Sequence, residues 1–279
     1  MKLKESKYPI LRAFADVYDN RQMYFNIVHG KEADKVRIVE DFLKDLVAQC
    51  DFSIFVTVEA FARIVKDDYI RNIFETGQGT TSGGAPARKM ALENLYGVST
   101  DGIAPADFPK YGALTGHDKR RDLMLDPDLF WHYGSVMLTL RKQNMMDRTT
   151  LTVGSSIDFN ESILKTPTPV TDPKALCVKG MPTQLAAPST RIFNGLAFLY
   201  DLITTGKLSP KLPNSLATAA DGMIGFEDYE LQFHGRLQFS KDVESVTVFP
   251  LRGDEYETVL QHKTTLDKYG IKVENIDGF

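Results

Sequence analysis

The stretch DYELQFHG, residues 228–235, holds the residue types best suited to chemistry. Read with the period of a strand, Tyr229, Leu231 and Phe233 fall on one face and Glu230, Gln232 and His234 on the other, with successive members of a row about 6.7 Å apart. A polar row on a strand is usually its solvated side. An exposed face favours Thr, Lys or Arg, however, whereas Glu-x-Gln-x-His sets an acid, an amide and an imidazole in register. Such a row can form the floor of a site.

Two further segments carry groups that suit a planar ligand bearing phosphate. In RNIFETGQGTTSGG, residues 71–84, an arginine precedes a run of glycines and hydroxyls. Backbone N–H groups in such a loop can cradle phosphate oxygens, and Arg71 can add a planar, bidentate clamp. A helix end fraying into a linker, with Arg71 on a wet face, is the plainer alternative. Further on, Tyr111-Gly112 and Tyr133-Gly134-Ser135 each set an aromatic beside a residue without a side chain. A planar ligand can stack there while the backbone comes close, although core aromatics at strand starts give the same pattern.

Other chemistries lack their residues. His29, His117, His132, His234 and His262, with Cys50 and Cys177, show neither HExxH nor CxxC spacing, so no metal is expected. GQGTTSGG lacks the Gly-Lys-Ser/Thr ending of a Walker A loop, no G-x-G-x-x-G joins a strand to a helix, and no G-x-S-x-G elbow occurs. The basic run at 117–121 reads as a solvated loop.

The elements that must position these residues divide into a helical front and a strand-rich back. Residues 35–49 place Val36, Val39, Phe42, Leu43, Leu46 and Val47 on one stripe, with Asp34 as N-cap, and residues 57–74 repeat the pattern through Phe61, Ile64, Val65 and Tyr69. ARKMALENLYG follows as a short helix. From Tyr111 on, KYGALTG, YGSVMLTLR, TTLTVGSS, ALCVK, DYELQFHG, VESVTVFP and GIKVENI read as strands, interrupted by helices at 191–206 and 254–268. The sum is an α+β chain with a mostly antiparallel sheet. Its 279 residues, 43% hydrophobic and 25% charged, suffice for one large domain or two small ones. A formal net charge of −4 gives no footprint for nucleic acid. Two cysteines suit a reducing compartment. MKLKESKYPI lacks the apolar core of a signal peptide and no apolar run approaches about 20 residues, so neither a cleaved leader nor a membrane span is expected.

Four motifs in order carry a resemblance that spans roughly residues 65–250: Arg71-Asn-Ile-Phe74-Glu-Thr-Gly77, Tyr111-Gly-Ala-Leu114, Arg148-Thr-Thr-Leu-Thr-Val-Gly154-Ser-Ser156 and Glu230-Leu-Gln-Phe-His-Gly235. Together they resemble a bacterial domain family similar to the CteC-like effectors, ADP-ribosyltransferases that modify a threonine of ubiquitin. The strand-turn-strand DYELQFHGRLQFSKDVESV is also similar to that of ADP-ribosyltransferases in general, with Asp228-Tyr229-Glu230 as the acidic-x-Glu pair. The Ser-Thr-Ser strand of that class is absent, and Tyr133-Gly134-Ser135 is a partial stand-in. The Arg that commonly heads the first core strand is either Arg71 or has its place near Tyr111-Gly112.

The resemblance implies a split antiparallel sheet of ADP-ribosyltransferase type over 71–279, with residues 1–70 as a helical region for partner recognition, in one compact unit. It implies NAD⁺ as substrate and a protein acceptor, ubiquitin being the expected one. Glu230 would face the ribose and Asp228 would orient the acceptor hydroxyl. Arg71 would hold the pyrophosphate, and Glu75, Thr76, Gly77, Thr81, Ser82 and Gly83 would line the phosphates or ribose. Tyr133 or Phe74 would stack on nicotinamide, and Tyr111, Gly112, Ser135, Gln232 and His234 would complete the site. A monomer is expected, cytoplasmic in its producer and secreted into a host cytosol. An NAD⁺ glycohydrolase using the same site, and a non-catalytic interaction module, remain as alternatives.

Overall fold

A computed structural model describes residues 2–77, 84–116, 133–153, 163–165, 168–171, 177–179, 200–201, 203–206, 229–249 and 254–276. Thr81, Ser82, Gly83, Asp228, the basic run at 117–121 and most of the helix expected at 191–206 lie outside them.

The chain is α+β. Its strands are β1 (Asp51–Val56), β2 (Lys110–Thr115), β3 (Val136–Leu140), β4 (Thr149–Val153), β5 (Ile163–Lys165), β6 (Thr168–Pro169), β7 (Cys177–Lys179), β8 (Tyr229–Phe233), β9 (Val243–Val248) and β10 (Lys272–Asn275). Eight of them hydrogen-bond in the order β10-β9-β3-β1-β2-β8-β4-β6, and β5 pairs with β7 separately. Within the eight, neighbours are antiparallel except β9 and β10.

The N-terminal part is not wholly helical, as the reading of 1–70 expected. It contains β1, which pairs with β2 on one side and β3 on the other. DFSIFV is rich in aromatic and β-branched residues, but a strand in the middle of a sheet buries both faces: Phe52, Ser53 and Ile54 are all buried. No period-two alternation therefore marks it.

The helices cover this sheet. In α1 (Pro9–His29), Ile10, Leu11 and Phe14 join the core, and Phe14 meets the Tyr96 ring edge to face at 5.0 Å. In α2 (Ala33–Gln49) the expected stripe Val39, Phe42, Leu43, Leu46 and Val47 is buried, with Val36 packed beside it. Asp34 lies inside the first turn rather than at the N-cap, because the 3₁₀ turn Gly30–Glu32 runs straight into the helix. The helix expected over 57–74 breaks in two. Thr57 caps α3 (Val58–Asp67), and Asp68 ends it in the left-handed conformation at φ 51°. The Asp68 carboxylate accepts from Ser240 N at 2.6 Å and Ser240 Oγ at 2.8 Å, and Ile70 bridges to Leu237. These distant partners override the local helical period. After the break comes the single turn α4 (Ile73–Thr76), then α5 (Gly84–Tyr96). The helix expected at 254–268 likewise divides, into α8 (Glu255–Leu260) and α9 (Lys263–Lys268).

Two braces fix the turn that follows β8. Arg148 donates from Nε to Asn144 O and from Nη1 to Arg236 O, and its Nη2 pairs with Asp242 Oδ2 at 2.9 Å, both side chains being buried. Asp242 lies at the end of α7 (Phe239–Asp242) and Asn144 in α6 (Lys142–Met145). The second brace is steric. Gly235 has φ +75°, and a Cβ there would stand 2.5 Å from the ring of Tyr8, so the N-cap residue of α1 packs directly on this turn. Breaking a buried pair leaves the surviving charge uncompensated. Arg148→Ala is expected to lower the unfolding free energy by about 3–5 kcal/mol in urea titrations; a change no larger than that of a surface substitution would show that the pair does not hold this turn.

Candidate active site

A cavity of about 570 Å³ opens over the middle of the sheet. Its walls come from β1, α3, the segment 69–76, α5, β2 and Tyr133, and Glu230 of β8 lies on its floor. β8 runs between β2 and β4, and Glu230 stands opposite Ala113 on one side and Thr152 on the other. The small Ala113 keeps the space above β2 open. Gly112 itself answers to the sheet: a Cβ there would lie 2.0 Å from Ser53 O and 2.8 Å from the Phe233 ring. Gly134 is held in the same way, at φ +120°, with any Cβ 2.3 Å from the Val56 backbone, and so sets Tyr133 at the cavity edge.

The polar row of β8 is not a solvated face. Glu230 is 7% exposed, and Gln232 and His234 are fully buried. Gln232 Nε2 donates to Glu230 Oε1 at 3.0 Å and to Thr152 Oγ1 at 3.0 Å, while its Oε1 accepts from Thr150 Oγ1 at 2.9 Å. The Tyr96 hydroxyl lies 2.6 Å from Thr150 Oγ1 and 2.9 Å from His234 Nε2. Gln232 and His234 therefore lie beside Glu230 on the same face of the strand, outside the cavity lining. Burial, with help from the charge of Lys110, pulls the His234 pKa down to about 3, which keeps the ring neutral.

The RNIFETG motif also divides by role. Asn72 caps α4 and closes a capping box with Glu75, and its Nδ2 donates to Pro105 O and Phe108 O. Glu75 Oε1 accepts from the Tyr69 hydroxyl at 2.6 Å, and its Oε2 lies 3.7 Å from Lys110 Nζ. Phe74 packs on Phe108 at 4.2 Å and lies outside the cavity lining. Gly77 is the left-handed C-cap of α4. Ser135 is buried off the cavity, with its carbonyl accepting from Phe249 N. Arg71, Glu75, Thr76, Tyr111, Gly112, Tyr133 and Glu230 are the expected residues that the fold brings to the cavity. Arg71 stands at its rim, 41% exposed and ion-paired with Asp67.

Residues beyond the expected set join them. Arg88, 6% exposed, lays its guanidinium over the Tyr111 ring at 3.9 Å. Burial and the charge of Glu230 push the Tyr111 hydroxyl pKa up against the pull of Arg88, so it stays a neutral phenol. Lys110 is buried, donates from Nζ to Ala106 O and Gly235 O, and has its pKa lowered by burial to about 8. The sequence does hold a signal for Arg88: it occupies the stripe of Ala91, Leu92 and Leu95 on α5, a charge on an apolar helix face. Among the described residues no group of three or more His, Cys, Asp or Glu is placed to hold a metal ion, and no helix is long and apolar enough to cross a membrane. Comparison with protein-family models and with curated proteins finds no match for the chain.

The His234 pKa gives a stability prediction. Its folded value of about 3 lies below the ordinary 6.5, so the unfolded chain binds the extra proton first. Stability is undiminished by this group above about pH 6.5 and falls as the pH drops from there toward 3. His234→Gln is expected to flatten that part of the acid limb in urea titrations across the range; an unchanged slope would show that the buried imidazole does not set it.

Proposed function

We propose that the chain is a mono-ADP-ribosyltransferase that takes ADP-ribose from NAD⁺ and passes it to a protein side chain, with a threonine of ubiquitin as the first acceptor to test. The observation that carries the reading is the setting of Glu230: a carboxylate held by Gln232 on the floor of a cavity whose walls carry Arg71 and Arg88. About 570 Å³ falls within the range of small-molecule sites. Cations on the wall suit phosphate oxygens, and Tyr133 and Tyr111 offer aromatic faces. Cleaving the bond between nicotinamide and ribose builds positive charge on the sugar, and a fixed carboxylate beside it lowers that barrier. The four motifs add to this reading, as does an antiparallel sheet that sets β8 between β2 and β4.

Of the three arginines that line the cavity, Arg63, Arg71 and Arg88, Arg88 is the buried one and the better placed to hold an anion. Its charge is buried, where an electrostatic interaction is screened least, whereas Arg71 is exposed.

Glu230→Gln is expected to keep the fold and lower the rate of ADP-ribose transfer by about 10²–10³, measured with biotin-labelled NAD⁺ and ubiquitin. Transfer at the wild-type rate would remove Glu230 from the reaction. Release of free nicotinamide without any labelled acceptor would assign the site to an NAD⁺ glycohydrolase instead. Arg88→Met is expected to weaken NAD⁺ binding about tenfold or more in calorimetry, and Arg71→Ala by less; the reverse order would return the anion site to the rim.

A further inference from the structure

We infer that Tyr96, Thr150 and His234 are positioning residues for Glu230, joined to it through Gln232 in a hydrogen-bonded chain with one direction of donation that fixes His234 as its Nε2–H tautomer. The part of Glu230 in ADP-ribose transfer rests on the reading above; the direction of the chain does not.

The direction follows from the ends of the chain. An ionised carboxylate only accepts, so the group that faces Glu230 Oε1 at 3.0 Å is the Gln232 amide N–H. The same nitrogen faces the Glu230 carbonyl at 3.3 Å, which also only accepts. Gln232 Oε1 is thereby turned to Thr150, whose single hydroxyl proton is used to reach it at 2.9 Å. With that proton committed, Thr150 Oγ1 accepts at its 2.6 Å contact, and the Tyr96 hydroxyl donates to it. The Tyr96 proton is then committed in turn, so the 2.9 Å contact with His234 Nε2 is filled by an imidazole N–H. Nε2 lies 3.4 Å from Thr150 Oγ1 as well, an acceptor on the same side.

The far end agrees. Among the described residues His234 Nδ1 is buried with no hydrogen-bond partner. In the Nε2–H tautomer that atom is a bare lone pair; in the other it is a buried, unmatched N–H, the rarer and worse defect. The lowered pKa of the ring means that no second proton arrives to fill it. Reversing the chain would set the Gln232 carbonyl against the Glu230 carboxylate, two acceptors at hydrogen-bond distance without a proton between them. The chain therefore holds its direction while Glu230 is ionised, and it locks the Gln232 amide that orients the carboxylate.

The test reads the tautomer directly, by nitrogen-15 NMR of histidine-labelled protein at neutral pH, with the His234 signals assigned by their loss in His234→Gln. The expected result is a protonated Nε2 and a bare Nδ1 in the wild type. A protonated Nδ1 in the wild type would overturn the inference. The functional arm uses Tyr96→Phe and, as a second break in the same chain, Thr150→Val. Each is expected to lower kcat about two- to tenfold, the worth of one hydrogen bond, with KM for NAD⁺ unchanged. Wild-type kcat in both folded variants would also overturn it. If the wild type transfers nothing from NAD⁺ yet His234 carries its proton on Nε2, the chain stands and the transferase reading fails.

Discussion

A carboxylate cannot be buried without hydrogen-bonding company, because the desolvation of a charge outweighs any packing gain from hiding it. β8 carries Glu230 with Gln232 and His234 behind it, all on a strand that lies inside the sheet. The neighbouring elements are chosen accordingly. β4 presents Thr150 and Thr152, hydroxyls that both donate and accept, and α5 ends on Tyr96, whose ring fills the core while its oxygen reaches the row. Val at either Thr position would pack as well and leave an amide unmatched. The T-T-x-T pattern is therefore the counterpart of E-x-Q-x-H across a strand pair.

The same constraint organises the turn beyond β8. Lys110 and Arg148 are both buried, and both direct N–H groups at consecutive carbonyls of that turn, Gly235 O and Arg236 O. Their charges are met by Glu75 and Asp242. Tyr8 closes on Gly235 from outside, and Asp68 accepts from Ser240 a few residues on. Elements far apart in the chain thus converge on one end of one strand. The aim of Glu230 into the cavity depends on residues outside it, Arg148, Asp242 and Tyr8, as well as on Lys110 and Glu75 of its wall.

Residues of one motif consequently do different jobs. In RNIFETG, Asn72, Phe74 and Gly77 serve the fold, Glu75 spends its oxygens on Tyr69, Lys110 and its own cap, and Arg71 is left at the rim. Arg88, outside every motif, is buried at the cavity wall, as Lys110 is. Spacing along a chain marks residues that belong together, but it cannot separate the one that faces a ligand from the one that holds it there.

Local pattern by itself determined the amphipathic stripe of α2, the strands β2, β3, β4, β8, β9 and β10, the α+β class and the alternation that sets Glu230, Gln232 and His234 on one face. These follow from periodicity and turn residues, which act over a few positions. Tertiary structure decided what that pattern leaves open: that DFSIFV is a central strand, that Asp68 breaks a helix to reach Ser240, that the polar row is buried, and that Arg88 meets Tyr111 above it. Each of these depends on a partner many residues away. A buried polar side chain and a solvated one have the same letter and the same period, and only the elements packed over them set their surroundings apart.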